Sequence, residues 1–569
     1  MLHFLPRRAA LLFSLLVAAS GAQSQAQTTP SWSTATRAGS RWSNQDETVT
    51  GAVDAAGNLY RVGIFAGTRV VGSTTLTSAG GYDAYLAKYA PSGALAWVRQ
   101  LGSAGQDAAT NVALDAAGNV YLTGSFTSSL DLGNHVTLAG NEGNIDQRNI
   151  TQLFVARFSP QGVAQWARQS TVDPDNLVGS SGLVVDASGT VAVAGLCHGR
   201  IGVGPTTATL PNPAKHGSFL ARFNGATGEL LTLTPAYWYS RTGQAGMELP
   251  TLSLAPNGDY YLVLQQSYDQ DLQLGSTSLP STGSSNLVAV RLGAAGAVAW
   301  VQRTDLGASP YRFYDHQSRA DATGNLYLAG SFDGQIQNGR ATVASRGDYD
   351  AFLLKYSPQG QVEWLHTDGG PGPDRWANLD LDAQGNVYVT GSFAQTASVG
   401  TTALTSAGGT DVAVASYSPQ GQLRWVQRAG GPGNDGGYFL GLDARTDVHV
   451  LGSFADGSVF GPVVLGSSAA AGELFVGVLQ NSVLGTRVGV EPRALSGLYP
   501  NPATTQVHLP GLAAGTRVQL LDPLGRLARE TQVSGTGQVS VQGLRPGLYT
   551  LHATTAQGRP CSGKLVVSE

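Results

Sequence analysis

Short segments in which apolar and polar residues alternate recur along most of the chain, and each follows a turn. A clear copy is Val120-Tyr-Leu-Thr-Gly-Ser-Phe126, whose period of two predicts a half-buried β-strand. The turn before it, Asp115-Ala-Ala-Gly-Asn119, contains glycine, which tolerates a positive φ, and aspartate, which bonds its own backbone. The same pattern starts at seven places, which we number as repeats one to seven: Asp54, Asp115, Asp186, Ala255, Asp321, Asp382 and Asp443.

Two further patterns accompany this one. An apolar strand, followed in its clearest copies by a proline and glycine turn, occurs at residues 83–89, 153–158, 219–223, 287–292, 350–356, 411–417 and 473–479. A strand marked by tryptophan occurs at Trp97, Trp166, Trp300, Trp364 and Trp425. We expect Leu231 to take that place in repeat three, and Trp32 to supply a seventh copy from the N-terminal end.

The three patterns are out of phase. One tryptophan strand precedes everything else, and repeat seven has none after it. A ring whose N-terminal strand completes the last sheet explains this shift and leaves no open sheet edge across the ring. A linear solenoid would need capping repeats and would not explain the shift. We therefore predict an all-β fold: a seven-bladed β-propeller of four-stranded blades, closed by the N-terminal strand and followed by a small C-terminal Ig-like β-sandwich.

The two ends of the chain differ from the repeats. Arg7 and Arg8 precede an apolar run and small residues, which predicts a secretory signal over residues 1–26, cleaved after Ala22 or Ala26. This run is shorter than the roughly 20 residues needed to cross a membrane, and no later stretch is long and apolar enough. No transmembrane segment is therefore expected in the mature chain. Residues 27–480 are the predicted propeller, 481–495 a linker, and 496–569 a domain of short strands.

The repeats resemble a known family. The D-x-x-G-N-x-Y turn, the D-A-[YF]-L-x-K-Y strand and the P-x-G-x-x-x-W turn are similar to the bacterial seven-bladed β-propeller repeat. The resemblance covers all seven repeats, closely in four and loosely at residues 180–300. It implies the fold and an extracellular setting, and it supplies no catalytic residues.

The tail resembles the type A C-terminal sorting domain of the type IX secretion system. The matching residues, in order, are Tyr499, Pro500, Asn501, Pro502, Gly525, Arg526, Gly547, Tyr549 and Lys564. The resemblance implies export across both membranes, with the tail bound by the type IX secretion machinery and then cleaved. The mature protein would be secreted or held at the cell surface, on the outer-membrane exterior. A plain Ig-like module is the alternative.

Composition narrows the classes of function. The chain has 75 Gly and 26 Pro in 569 residues, as many turns require, and only 13% charged residues. A formal net charge of −4 offers no basic surface, so no nucleic-acid partner is expected. Two cysteines cannot make a disulfide framework, and the nine histidines show no metal-ligand spacing.

Four aspartates stand eight residues before a turn aspartate: Asp46, Asp107, Asp374 and Asp435. Symmetry would place them around one mouth of the ring, where clustered carboxylates could bind Ca²⁺; no other cofactor is expected. The alternative, which we favour, is that each aspartate caps its own loop by accepting backbone N–H bonds. Asp83, Asp350 and Asp411 repeat in the same way and are expected to be turn residues.

Four aromatic residues outside the repeat positions are candidates for ligand contact: Trp42, Trp238, Trp376 and Tyr311. We expect them to form an exposed surface on which sugar rings could stack. The leading hypothesis is a secreted or cell-surface propeller that acts as a non-catalytic binding module for an extracellular protein or glycan. The alternative is an extracellular propeller enzyme, either a hydrolase or lyase acting on polysaccharide or a quinoprotein-like oxidoreductase.

Overall fold

The computed structural model describes residues 29–568 except 41–49, 141–150, 172–178, 211–215, 241–249, 268–269, 295, 307–315, 339–341, 468–471, 482–492, 495–497, 511, 522–526 and 555–559. The secondary structure of these residues is β-strand, with turns and bends between strands. They fall into two compact parts, residues 29–481 and the segment after residue 482. The predicted signal segment lies outside the described residues.

The first part begins with strand β1 (Ser31–Ser40), which precedes repeat one. The strands of repeats one to three then follow in chain order: β2 (Thr50–Val53), β3 (Leu59–Val71), β4 (Thr74–Tyr89), β5 (Leu95–Leu101), β6 (Asp107–Leu114), β7 (Val120–Phe126), β8 (Leu130–Asp131), β9 (Thr137–Leu138), β10 (Gln152–Phe158), β11 (Ala164–Gln169), β12 (Gly179–Val185), β13 (Thr190–His198), β14 (Arg200–Val203), β15 (Thr206–Thr209), β16 (His216–Asn224) and β17 (Leu230–Ser240).

Repeats four to seven continue the same succession. Their strands are β18 (Thr251–Leu254), β19 (Tyr260–Gln266), β20 (Asp271–Leu274), β21 (Thr277–Leu279), β22 (Asn286–Leu292), β23 (Val298–Asp305), β24 (Gln317–Ala320), β25 (Leu326–Gln337), β26 (Thr342–Tyr356), β27 (Val362–Asp368), β28 (Arg375–Leu381), β29 (Val387–Val399), β30 (Thr402–Tyr417), β31 (Leu423–Ala429), β32 (Gly436–Leu442), β33 (Val448–Phe454), β34 (Ser458–Phe460), β35 (Val463–Leu465) and β36 (Glu473–Gln480).

Each repeat forms an antiparallel ladder of four main strands. The ladders run β2-β3-β4-β5, β6-β7-β10-β11, β12-β13-β16-β17, β18-β19-β22-β23, β24-β25-β26-β27, β28-β29-β30-β31 and β32-β33-β36-β1. The first strand of each ladder contacts the first strand of the next, and β32 contacts β2 in the same way. Phe439 and Leu474 of repeat seven share a buried cluster with Leu59 and Tyr85 of repeat one.

Tryptophan side chains tie one repeat to the next. The indole N–H groups of Trp166, Trp300 and Trp364 donate to Gly225 O, Pro358 O and Pro419 O at 2.9, 2.9 and 3.1 Å. Each acceptor lies in the turn between the third and fourth main strands of the following repeat. Gly360 in such a turn has a φ of +79°, and a Cβ there would lie 2.9 Å from the Trp300 ring. The glycine is therefore required by backbone conformation and by close packing.

Strand β1 completes the ladder of repeat seven, as predicted from the shifted pattern. Trp32 lies opposite Leu479, and Arg37 forms an ion pair with the buried Glu473. Trp32 does not, however, occupy the repeated tryptophan position. Trp97 lies opposite Lys88, and the register places Thr34 at the equivalent site, because Trp32 pairs with Leu479 as Leu95 pairs with Tyr89.

The prediction for repeat three was one residue off. Thr232, opposite Arg222, occupies the tryptophan position, since it stands four residues after Gly228 as Trp97 stands four residues after Gly93. Leu231 is instead 47% exposed.

The second part contains two sheets. A five-stranded sheet has the order β37-β43-β42-β39-β40, and a two-stranded sheet pairs β38 with β41. The bounds are β37 (Arg493–Ala494), β38 (Gln506–His508), β39 (Arg517–Leu521), β40 (Leu527–Gln532), β41 (Gln538–Ser540), β42 (Gly547–Thr554) and β43 (Pro560–Val567). Alternate residues of the strands, such as Leu551 and Leu565, are buried in one core.

Candidate functional site

The turn aspartates of the repeats form closed hydrogen-bond networks. Asp115 Oδ1 accepts the N–H groups of Ala117 and Asn119 at 3.0 and 2.9 Å, and Oδ2 accepts Asn119 Nδ2 at 2.7 Å and Tyr121 Oη at 3.2 Å. Burial acts to raise the pKa of Asp115, but these hydrogen bonds outweigh it and lower that pKa. The repeated D-x-x-G-N-x-Y motif is thus explained by one carboxylate that satisfies the whole turn.

The loop aspartates predicted as calcium ligands or loop caps have the geometry of caps. Asp107, Asp374 and Asp435 are buried and accept the N–H of the residue four positions earlier at 2.8, 2.7 and 2.8 Å. Asp46 lies outside the described residues. Among the residues that the structure describes, no group of three or more His, Cys, Asp or Glu is placed to hold a metal ion. Calcium binding at these aspartates stays a prediction.

Each loop aspartate is accompanied by a second buried carboxyl group that sequence reasoning treated separately. Asp83, Asp350 and Asp411 stand 24 residues before Asp107, Asp374 and Asp435. Each also accepts the N–H of the residue four positions earlier, at 3.0, 3.2 and 2.8 Å. The constant spacing was a signal in the sequence for this pairing.

A glycine lies between the two carboxyl groups of a pair. A Cβ on Gly369 would lie 2.7 Å from Asp350 Oδ1 and 3.0 Å from Asp374 Oδ2. Burial raises the pKa of Asp374 to about 7 and that of Asp107 to about 6, and the neighbouring carboxyl groups of Asp350 and Asp83 add to the rise. Asp374 and Asp107 are therefore buried acids that retain a proton more readily than ordinary aspartates.

The aromatic prediction is wrong for Trp376. Its side chain is 2% exposed, and Nε1 donates to Asp368 Oδ2 at 3.0 Å. Tyr417 Oη donates to the same oxygen at 2.6 Å, and Gly400 N–H donates to Asp368 Oδ1 at 2.9 Å. Trp376 is therefore one of three donors to a buried carboxylate and cannot stack on a ligand. Nothing in the repeat pattern marked Asp368, because its donors come from distant residues.

The other aromatic candidates cannot be placed. Trp42 and Tyr311 lie outside the described residues. Trp238 belongs to β17, but its side chain is likewise outside the described part. An aromatic sugar platform at these residues stays a prediction.

An open pocket of about 420 Å³ lies where the turns of repeats three, four and five meet. This volume falls in the usual range for small-molecule sites. Repeat four has Ala255 where the other repeats carry the turn aspartate, so a methyl group lines the pocket at that point. The lining residues are Asp186, Ala187, Ser188, Leu254, Ala255, Pro256, Gly258, Ala320, Asp321 and Ala322.

The tail motif brings residues from its two ends together. The side chain of Asn501 bonds Lys564 O at 3.0 Å and Val566 N at 2.8 Å. Tyr499 is 60% exposed, Pro500, Pro502, Gly547 and Lys564 are exposed, and Tyr549 is buried with its hydroxyl donating to Arg545 O at 2.9 Å. Gly525 and Arg526 lie outside the described residues.

Two observations concern reactivity and membrane spans. Cys197 and Cys561 are buried and form no disulfide, and burial raises the pKa of Cys197 to about 12. No helix long and apolar enough to span a bilayer occurs among the described residues.

Two sequence families match parts of the chain. Residues 497–568 match the family described as a secretion system C-terminal sorting domain, and residues 96–129 match the β-propeller repeat. An uncharacterised WD repeat-containing protein of Acanthamoeba polyphaga mimivirus is 28% identical over 124 residues. That match covers 18% of this chain and 9% of the viral protein, far less than two thirds of its length.

Several solved structures match the chain at low similarity. A protein of unknown function from Bacteroides caccae is 11% identical with a TM-score of 0.31, and the match covers 62% of this chain and 92% of that one. A puromycin hydrolase variant is 14% identical with a TM-score of 0.37 and coverages of 76% and 51%. PorZ, a surface component of the type IX secretion system of Porphyromonas gingivalis, is 12% identical with a TM-score of 0.19 and coverages of 92% and 99%. At these TM-scores the similarities carry no argument about function.

The sorting-domain match has a direct consequence for location. It indicates export through the type IX secretion system to the cell surface or the medium. The repeat match agrees with the all-strand structure of the first part. The chain is thus an all-β protein that carries a β-propeller repeat and ends in a sorting domain of the type IX secretion system.

Proposed function

We propose that residues 27–480 form a closed, seven-bladed ring that the tail directs out of the cell, where the ring acts as a non-catalytic binding module. Support for closure comes from the N-terminal strand, because Trp32 and Arg37 of β1 pair with Leu479 and Phe475 of β36. The contact between β32 and β2 repeats the contact seen between every other pair of successive first strands. A ring of this kind has no unpaired edge between its first and last blades.

The observation that carries the binding role is the 420 Å³ pocket between the turns of repeats three to five. Its walls are short turn residues, and they include two carboxylates, Asp186 of repeat three and Asp321 of repeat five. Asp321 is held by hydrogen bonds from Thr323 and Asn325, so this side of the pocket is preformed. A preformed recess with a few fixed polar groups suits an extracellular glycan or a protein side chain.

The buried acids support a structural use of the carboxyl groups outside the pocket. Asp107, Asp374 and Asp435 hold backbone N–H groups of their own loops. Asp368 holds Trp376 and Tyr417. These groups are committed to the fold, which leaves the pocket as the candidate contact surface in the described part of the ring.

The test is a glycan array and a pull-down from extracellular proteins with the purified ring and two variants. Ala322→Arg places a long side chain in the pocket, whereas Ala116→Arg makes the same change at the equivalent exposed turn position of repeat two. We expect Ala322→Arg to lose the captured ligand and Ala116→Arg to keep it. Cleavage or oxidation of an arrayed glycan by the unaltered ring would instead support the enzyme alternative. Equal binding by both variants would contradict the pocket assignment.

A further inference from the structure

The start of the sorting domain lies along the edge of the last strand. Asn501 Nδ2 donates to Lys564 O at 3.0 Å, and Val566 N–H donates to Asn501 Oδ1 at 2.8 Å. Two residues later the backbone continues the same pattern, with Ala503 N–H donating to Val566 O at 2.8 Å and Ser568 N–H donating to Ala503 O at 2.9 Å. A carboxamide carries both a donor and an acceptor, so Asn501 acts here in place of a peptide group.

These contacts complete the hydrogen bonding of β43. One edge of the strand pairs with β42 over its whole length. On the other edge, Arg493 and Ala494 lie beside Cys561 and Ser562, and Asn501 and Ala503 cover the remainder. An uncovered edge strand would offer its N–H and C=O groups to other chains. The motif therefore fixes the C-terminal strand within the sheet and leaves its outward side chains as the part open to a partner.

The outward side chains form an apolar pair beside a positive charge. Leu548 of β42 and Val566 of β43 lie directly opposite each other and are 45% and 40% exposed. Lys564, two residues before Val566, is exposed on the same side, while Leu565 and Val567 between and beyond them are buried. Single exposed apolar residues are ordinary on soluble proteins, whereas Leu548 and Val566 lie side by side on one strand ladder and form a contiguous apolar patch.

We propose that Asn501 is a positioning residue of the sorting signal, which holds the C-terminal strand so that Leu548, Lys564 and Val566 form one surface contacted by a protein of the type IX secretion machinery. The inference rests on the proposed export through this tail. The family match assigns the domain to sorting, so its partner is the export apparatus. The surface suits a partner with an apolar centre and an acidic group opposite Lys564.

The test uses the full-length protein in a host with the type IX secretion system and measures the exported fraction against the periplasmic pool. Leu548→Ser with Val566→Thr changes only exposed side chains, so we expect a folded protein with export reduced about tenfold or more. Asn501→Ala should reduce export as strongly. Asn501→Asp keeps the acceptor for Val566 N–H, so its exported fraction should lie between those of Asn501→Ala and the unaltered protein. Val464→Thr, an equivalent change at a 66% exposed valine of the ring, is the control and should leave export unchanged.

Resistance of the periplasmic protein to trypsin separates loss of the surface from loss of the fold. The Leu548→Ser, Val566→Thr protein should remain resistant while failing to leave the cell. Normal export of that double variant, or of Asn501→Ala, would overturn the inference. If the unaltered protein itself stays in the periplasm, the proposed export fails, and the two failures are distinct.

Discussion

At the scale of single residues, the fold depends on carboxyl groups that water does not reach. Asp350 and Asp374 are 0% and 2% exposed and face each other across Gly369. A buried carboxylate beside another is costly to ionise, while the backbone N–H bonds to each favour the ionised form. Burial outweighs the hydrogen bonds, so the pKa of Asp374 rises to about 7. The pair is thus a source of pH-dependent stability.

The sign of that dependence follows from proton binding. Between its ordinary pKa of 3.8 and the raised value, Asp374 keeps a proton in the folded chain that the unfolded chain has lost. Stability therefore falls as pH rises from 5 to 8, and Asp374 contributes a loss on the order of 2 kcal/mol. Chemical denaturation at both pH values should show a smaller difference for Asp374→Asn than for the unaltered protein. Asp131→Asn, at the exposed end of β8, is the control, and an equal pH dependence in all three proteins would refute the role of Asp374.

At the scale of elements, the repeats of the first part are held together by strands and turns that meet between them. Thr36 of β1 donates to Gly93 O at 3.2 Å, and Tyr89 Oη donates to Ala38 O at 3.1 Å. These contacts join the strand that completes repeat seven to repeat one. In repeats two, four and five, the tryptophan of the fourth strand makes the corresponding contact with a turn of the following repeat.

A cross-link tests the pairing of β1 with β36. Thr34 and Val478 are register partners, and opposed residues of antiparallel strands are close enough for a disulfide. In the Thr34→Cys, Val478→Cys protein we expect oxidation to give a monomer that migrates differently on a non-reducing gel. Thr34→Cys alone should show no change in migration, because Cys197 and Cys561 are buried and offer no accessible thiol for a second disulfide. Disulfide-linked dimers would mean that β1 pairs with another molecule instead.

Two tryptophans offer a matched test of the links between repeats. Trp364 Nε1 donates to Pro419 O at 3.1 Å, whereas Trp425 Nε1 is buried with no acceptor in the described part of the chain. Repeat seven has no turn to supply that carbonyl, since its last strand comes from the N-terminal end. We expect Trp364→Phe to lower the free energy of unfolding by about 1 kcal/mol more than Trp425→Phe. Equal losses of unfolding free energy in the two variants, measured by denaturant titration, would show that the Trp364 hydrogen bond does not stabilise the protein.

Sequence patterns predicted the elements better than their details. The strand and turn pattern placed β3, β7 and β29 and the pairing of β1 with the last sheet. It missed the true register of Trp32 and of Leu231, because the tryptophan positions of these two strands are occupied by Thr34 and Thr232 and so carry no tryptophan to mark them. It also predicted an exposed Trp376, because the buried partner Asp368 is held by residues that the repeat does not specify. The contacts between repeats and the pocket formed by three turns depend on how the repeats are arranged in space, and the sequence pattern does not give that arrangement.

At the scale of the whole molecule, we propose that the first part binds a ligand and that the second part directs export. The first part contains the repeats and the pocket, and the second matches the sorting domain over residues 497–568. The two parts are compact units in their own right. Removal of the second part should therefore change the location of the protein without changing the binding proposed for the first part.

Deletion of residues 496–569 is the corresponding prediction. The shortened protein should accumulate in the periplasm because it lacks the sorting domain, while the ring keeps its resistance to protease. Cell fractionation with immunoblotting measures the location, and the full-length protein serves as the control. Surface or medium levels equal to those of the full-length protein would show that another segment directs export.

The central claim is that an exported ring of seven sheets closes through its N-terminal strand. The most direct measurement is electron microscopy of the protein recovered from the cell surface or the medium, with class averages of the ring viewed along its axis. For a closed ring we expect seven lobes around a central hole, with no gap between any two neighbouring lobes. An open arc, a different number of lobes, or protein recovered only from the periplasm would contradict it.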